Sequence, residues 1–516
     1  MAASWLNDAV FYEIYPQSFY DTNGDGIGDF NGIIEKLDYI KSLGCNALWI
    51  NPCFDSPFKD AGYDVRDYKK AAPRYGSNHD LYRLFGEAHR RGMRVLLDLV
   101  PGHTSEEHPW FLESKKAEPN EYSNRYIWSH FCFQGCNGLN YVAGESQRDG
   151  VYVLNFFKCQ PALNYGFLHP TEDWQLPMDH PDALATREAM KDVMRFWLDH
   201  GCDGFRVDMA ASLVKFDDEQ KSGTSAIWRD VRAMLDKEYP EAAMVAEWSE
   251  PRLALNCGFD MCFCLNDPHT GYSALMRDYD RRQPEKPDNS YFRKDGEGDI
   301  NRFLRPYMAE YEATRHMGRI SLITCNHDTV RPSWNLDTRE LKLAYAFLFT
   351  MPGVPFLYYG DEIGMRYLDL PTKEGGYFRT GSRTPMQWSS GKNLGFSTGC
   401  QDALYLPVDS GADAPTVAAQ EEDPDSLLHT VRELLALRHA QADLKDNANL
   451  EIVHAEKGDA FVYRRGSLLL AVNPSGREAS APVDASGKSM LYAIGGGMPA
   501  ENRVVLKPQS FVIWKG

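Results

Sequence analysis

The chain is 516 residues long, 43% apolar and 25% charged, which is the balance of a globular protein with more chain than one compact core holds. A formal net charge of −18 argues against nucleic acid or an anionic membrane as partner, since either needs a basic face, and no run of eighteen apolar residues offers a membrane span. The first residues lack the basic and apolar regions of a secretion signal, and the eleven cysteines follow no zinc spacing, so reduced thiols in a cytoplasmic protein are expected.

Short β-type runs alternate with amphipathic helical stretches. The predicted strands are Val10–Ser18, Ala47–Pro52, Arg94–Val100, Gly204–Met209, Met244–Glu247, Met261–Leu265, Ile320–Cys325 and Val354–Tyr359. Between them the helical spacing predicts Ile33–Leu43, His79–Arg91, Pro181–His200, Ser225–Glu238 and Thr338–Thr350, with a last helix over Leu427–Ala440. This rhythm predicts an α/β fold, a (β/α)8 barrel, with a doubly wound sheet as the alternative. From Thr104 to about Asp179 the rhythm stops, and the aromatic, Asn-rich and Gly-rich stretch reads as an insertion after the third strand. Beyond Asn449 come short alternating runs, among them Phe461–Tyr463, Ser467–Val472, Val504–Leu506 and Phe511–Trp514. The predicted organisation is therefore barrel over 1–103 and 180–447, insertion over 104–179, and a C-terminal antiparallel β-sandwich over 448–516.

Four predicted strands end in ionisable residues: Asp98 to His103, Arg206 and Asp208, Glu247, and Asn326-His327-Asp328. Residues two apart share a strand face, so Arg206 and Asp208 point the same way. A charged pair turned into a barrel is costly unless it is paired or used. Two carboxylates across one pocket are what glycoside cleavage needs, one attacking the sugar carbon and the other protonating the leaving oxygen. Arg206 is expected to keep Asp208 ionised, and apolar neighbours including Trp248 are expected to raise the Glu247 carboxyl toward an acid's role.

These segments resemble the α-amylase superfamily, family 13 of the glycoside hydrolases, and most closely its α-glucosidase and oligo-1,6-glucosidase branch. Phe11 to Phe19, Gly62-Tyr63-Asp64-Val65, Tyr358 to Met365 and Arg383 to Trp388 add further matching motifs in the family's order. The resemblance implies double displacement with retention. Asp208 would be the nucleophile, Glu247 the general acid/base, and Asp328 would bind the ring hydroxyls. Tyr63, His103, Arg206 and His327 would complete the sugar site. Asp64 and Arg383, with Arg379 as a second candidate, would close the pocket around a terminal hydroxyl. The implied activity is release of glucose from the non-reducing end of short α-1,4- or α-1,6-glucosides. A glucosyltransferase, trehalose-forming mutase or sugar phosphorylase would use the same three acids, whereas a non-catalytic protein of this fold would lack them. Three departures stand out. Gly102 replaces the family's Asn before His103 and argues against the amylase calcium site, Ala162 replaces an Asp, and Met209 follows neither linkage tendency.

The loop Asp21, Asn23, Asp25, Ile27, Asp29 sets oxygen ligands at alternate positions and resembles the first nine positions of an EF-hand, without its bidentate Glu. Relatives in this branch carry Ca2+ or Mg2+ at the matching loop, so a structural divalent ion is expected, with no organic cofactor.

Overall fold

In a computed structural model, which describes residues 3–375 and 378–516, eight parallel strands form a ring and each is followed by a helix. The pairs are β1 Phe11–Ile14 and α1 Phe30–Leu43, β2 Ala47–Ile50 and α2 Asn78–Arg90, β3 Arg94–Leu99 and α3 Pro181–Asp199, and β4 Gly204–Val207 and α4 Ser222–Glu238. They continue with β5 Ala243–Ala246 and α5 Pro251–Asn256, β6 Met261–Phe263 and α6 Asn301–Thr314, β7 Arg319–Ser321 and α7 Thr338–Thr350, and β8 Phe356–Tyr358 and α8 Leu427–Ala440. Strand order follows chain order, β1 lies between β2 and β8, and a parallel bridge from Ile323 to Phe356 closes the ring. All eight predicted strands are present, seven of them shorter than the predicted run and β5 equal to it in length but one residue earlier. The helix α6 was not predicted, because Pro306 interrupts the stretch from which Phe303, Leu304, Tyr307 and Tyr311 are buried.

The two-residue period of the strands sorts the interior into layers. Phe11, Trp49, Phe263 and Phe356 form an aromatic floor, with Phe11 stacked on Phe356 at 4.3 Å and Trp49 lying 5.3 Å from Phe263. Two residues further along their strands, Glu13 follows Phe11 and Asn51 follows Trp49. Asp98 and Arg206 pair across β3 and β4 in the same charged layer. Glu13, Asp98 and Arg206 are buried. Over an apolar floor each of these charges must find a partner, and they find one another.

The insertion contains a short helix, Pro109–Ser114, and a hairpin of Tyr141–Ala143 with Val151–Val153, packed on Ile127, Ala162, Phe167 and Trp174. At the C-terminus, a five-stranded antiparallel sheet and a three-stranded one enclose Val462, Leu469, Ala471, Val504, Leu506, Val512 and Trp514. The outer face of the larger sheet meets the barrel where Phe461 and Tyr463 pack on Phe347 of α7. The cysteines are all free thiols, and no helix among the described residues is long and apolar enough to cross a membrane.

Candidate active site

At the C-terminal mouth of the barrel lies a cavity of about 340 Å3, lined among others by Asp60, Tyr63, His103, Phe156, Asp208, Glu247, Asp328 and Arg379. The C-terminal ends of β4, β5 and the strand-to-loop segment after β7 deliver Asp208, Glu247 and Asp328 to this one space, although 120 positions separate the first from the last.

Arg206 organises the two acids. Its Nη1 lies 2.8 Å from Asp98 Oδ1 and 3.1 Å from Asp208 Oδ1, and its Nη2 lies 2.8 Å from Glu247 Oε1. One positive charge is thus divided among three carboxylates. Burial, and then the charge of Glu247, push the Asp208 carboxyl well above the usual carboxylate range, against the pull of Arg206. The expectation that Arg206 keeps Asp208 ionised is therefore corrected, since burial and the Glu247 charge raise its carboxyl in spite of that guanidinium. Glu247 also differs from expectation in its surroundings. It accepts from the Met209 amide at 2.8 Å as well as from Arg206, while the Trp248 ring turns toward Phe259.

A second network lies opposite. His327 bridges Glu13 Oε1 at 2.9 Å and Asp328 Oδ2 at 3.2 Å, and the Tyr63 hydroxyl sits 2.6 Å from its Nε2. Burial opposes a charge on this imidazole, but Asp328 and Glu13 outweigh it and lift its pKa to about 9, so it is a cation at neutral pH. Burial likewise opposes the charge on Asp328, yet His327, Arg383 and Arg379 hold its carboxyl well below the usual range. Asp328 is thus the dependable anion of the cavity. His103 is the reverse case: burial drives its pKa down to about 3 and keeps it neutral, with Nε2 3.0 Å from the Tyr63 carbonyl and Nδ1 2.9 Å from Asn155 Nδ2.

The pair expected to close the pocket is not the pair found there. Asp64 is buried beneath its own loop and accepts from Ser56 Oγ and the Lys59 and Asp60 amides, each at 3.0 Å, and burial lifts its carboxyl to about 6. Arg383 donates to the His327 carbonyl, to Asp328 at 2.6 Å and to Glu374 at 3.3 Å, so it braces Asp328 from behind. Asp60 and Arg379 line the cavity instead and are ion-paired, with Arg379 also 3.1 Å from Asp328. In a tight turn the side-chain direction reverses within four residues, and motif spacing does not record which Asp faces inward. Glu13, Asp60, Gln160 and Asn155 were not singled out from sequence. Glu13 carried a readable signal, since a charge two residues after Phe11 on a buried strand must point into the barrel.

In the loop at 21–29, Asp21 accepts from the Asn23, Gly24 and Gly26 amides and Ser397 Oγ, Asn23 Oδ1 from the Asp25 amide, and Asp25 from the Ile27 amide. Asp29 accepts from Thr22 and caps α1 through the Gly32 amide. None of these donors carries a charge, so they leave three carboxylates unneutralised. That oxygen set fits a hard divalent ion in kind. Among the described residues, the one group of three or more His, Cys, Asp and Glu side chains close enough to share an ion is the half-buried His454 with the exposed Glu456 and Asp459, so the loop carboxylates would have to turn inward to bind one.

The α-amylase catalytic-domain family model matches residues 13–447. The chain belongs to the α-amylase family. It is thereby a glycoside hydrolase of family 13 with a barrel of the kind described above. Trehalose synthase/amylase TreS of Mycolicibacterium smegmatis is 35% identical over 482 residues, 84% of this chain and 76% of the relative. The oligo-1,6-glucosidase of Heyndrickxia coagulans is 32% identical over 534 residues, 91% of this chain and 92% of the relative. Among solved structures, trehalulose synthase MutB from Pseudomonas mesoacidophila superposes with a TM-score of 0.82 at 25% identity, covering 100% of both chains. The relatives' activities divide between glucosidases and sugar synthases.

Proposed function

We propose that this family 13 enzyme is a retaining, exo-acting α-glucosidase that takes single glucosyl units from the non-reducing end of short α-glucosides. The observation that carries the reading is the Asp60–Arg379 pair on the cavity wall, with Arg379 also bonded to Asp328. A guanidinium and a carboxylate offered to one terminal hydroxyl make charge-assisted hydrogen bonds, and a sugar continuing from that hydroxyl would clash with both and strand their charges. Asp208 attacks the anomeric carbon as Glu247 protonates the departing oxygen, and Glu247 then takes a proton from the water that frees the sugar. Both acids sit on the two terminal nitrogens of one guanidinium, which favours the close spacing of a double displacement over the wider gap of an inverting pair. Asp328, held as an anion, binds ring hydroxyls, with Tyr63 stacked on His327 at its side. The loop at 21–29 is proposed to carry a structural Ca2+ or Mg2+, away from the chemistry.

A second reading, transfer of the glucosyl unit to another sugar, is favoured by the likeness to a trehalose synthase and a trehalulose synthase. A time course on maltoheptaose, with sucrose, trehalose, maltose and isomaltose in parallel, separates the two. Glucose and the six-unit product appearing first support exo-hydrolysis, disaccharide isomers support transfer, and early mid-length products sink the closed pocket.

A further inference from the structure

Gly102, just before His103, leaves a notch at the end of β3. A Cβ placed there would lie 2.8 Å from Asn155 Nδ2 and 3.3 Å from its Cγ, so the notch is filled by a side chain arriving from the insertion. Asn155 follows the strand Val151–Val153, and its Nδ2 lies 2.9 Å from His103 Nδ1. Its Oδ1 accepts from Lys215 Nζ at 2.5 Å, and Lys215 also donates to the Ser212 carbonyl at 2.6 Å.

Hydrogen-bond polarity fixes this chain in one direction. An ammonium only donates, so Asn155 must turn its oxygen to Lys215 and its NH2 to His103. The Tyr63 carbonyl only accepts, so His103 carries its proton on Nε2, 3.0 Å away, and Nδ1 is the bare nitrogen that receives the Asn155 N–H. Three bonds therefore set the tautomer and the ring plane of a side chain that lines the cavity. The same loop reaches the other side of the pocket: the Asn155 amide donates to the Gln160 carbonyl, and Gln160 Nε2 donates to Asp60 Oδ2 at 2.7 Å.

We propose that Asn155 is a positioning residue for His103, oriented by Lys215, and that it reaches His103 from the insertion through the notch that Gly102 leaves at the end of β3. The proposal rests on the reading of the cavity as the active site. It predicts that the amide group can be moved from one side of the notch to the other. Asn155→Gly empties the space, Gly102→Asn alone drives a Cβ into Asn155, and the double variant Gly102→Asn/Asn155→Gly refills the space from the barrel side.

The experiment measures kcat and KM for p-nitrophenyl α-glucoside over pH 5 to 9, the melting temperature, and calorimetric binding of a glucose-like iminosugar, for the wild type and these three variants. Wild-type turnover, lost in Asp208→Asn, tests the site reading by itself, and the iminosugar needs no turnover. Each single variant is expected to lose about 10- to 100-fold in kcat/KM, the scale on which partners that orient a functional histidine act. The double variant is expected to regain at least tenfold over Asn155→Gly, a coupling that independent sites do not give. Asn155→Asp should add a new ionisation to the acid side of the pH profile. An aspartate there can only accept, which forces a proton onto Nδ1 and makes His103 a cation whenever Nε2 keeps its bond to Tyr63. Two results overturn the proposal: an Asn155→Gly enzyme with wild-type kcat/KM, pH profile and iminosugar affinity, or a double variant that regains melting temperature without regaining activity or iminosugar binding, which would make Asn155 a packing residue only.

Discussion

Raising the pH should weaken this fold at one buried imidazole. His327 is sealed between Glu13 and Asp328, and its pKa is lifted from 6.5 to about 9. In the unfolded chain it returns to about 6.5. A group whose folded pKa is raised binds its proton more tightly when folded, so its contribution is fully present below pH 6.5 and is lost as the pH climbs through 9. The difference between those two values, at roughly 1.4 kcal/mol per pH unit, comes to about 3 kcal/mol. Asp328 feels the same attraction from the acid side, so the two are not added. His327→Gln retains a polar side chain but cannot take the proton. Urea unfolding of wild type and His327→Gln, at steps from pH 6 to pH 10, lets titrating groups outside the contact with His327 cancel in the difference, and leaves the imidazole with its two partners Glu13 and Asp328. The stability gap between the two proteins should narrow by about 3 kcal/mol across that range, most of it between pH 7 and 9.5. Parallel pH dependences for the two proteins would refute a charged His327.

Asp208→Asn should cut kcat by more than about a thousand-fold. It should also leave the melting temperature equal or higher, because it removes a carboxylate that burial and Glu247 already strain; substantial residual turnover would remove Asp208 from the nucleophile's role. Asp60→Ala should open the closed end of the cavity and lower the preference for maltose over maltoheptaose, read as the ratio of kcat/KM values, by roughly tenfold. An unchanged ratio would mean that the Asp60–Arg379 pair does not set chain length. Chelation with EDTA should lower the melting temperature and leave low-temperature activity nearly intact if the loop at 21–29 holds a divalent ion, whereas an unshifted melt with no metal by elemental analysis would leave the loop as a set of side-chain turns on its own amides.

The sequence by itself determined the alternation of strands and helices, the position of the insertion, the C-terminal sheets, and the identity of Asp208, Glu247 and Asp328 as acids at strand ends. Those features follow from periods of two and 3.6 and from the cost of turning a charge into a barrel, which local spacing records. Tertiary structure alone decided the pairings. It put Asp60 rather than Asp64 in the cavity, gave Arg379 the wall and Arg383 the position behind Asp328, set Glu13 beneath His327, and brought Asn155 into the notch at Gly102. Each of these joins segments far apart in the chain through turns whose side-chain directions follow no period. The ionisation of the cavity was decided with them, because the pKa of a buried group depends on which charges stand around it, and one guanidinium shared by three carboxylates leaves Asp208 differently poised from the simple Arg–Asp pair that the strand suggests.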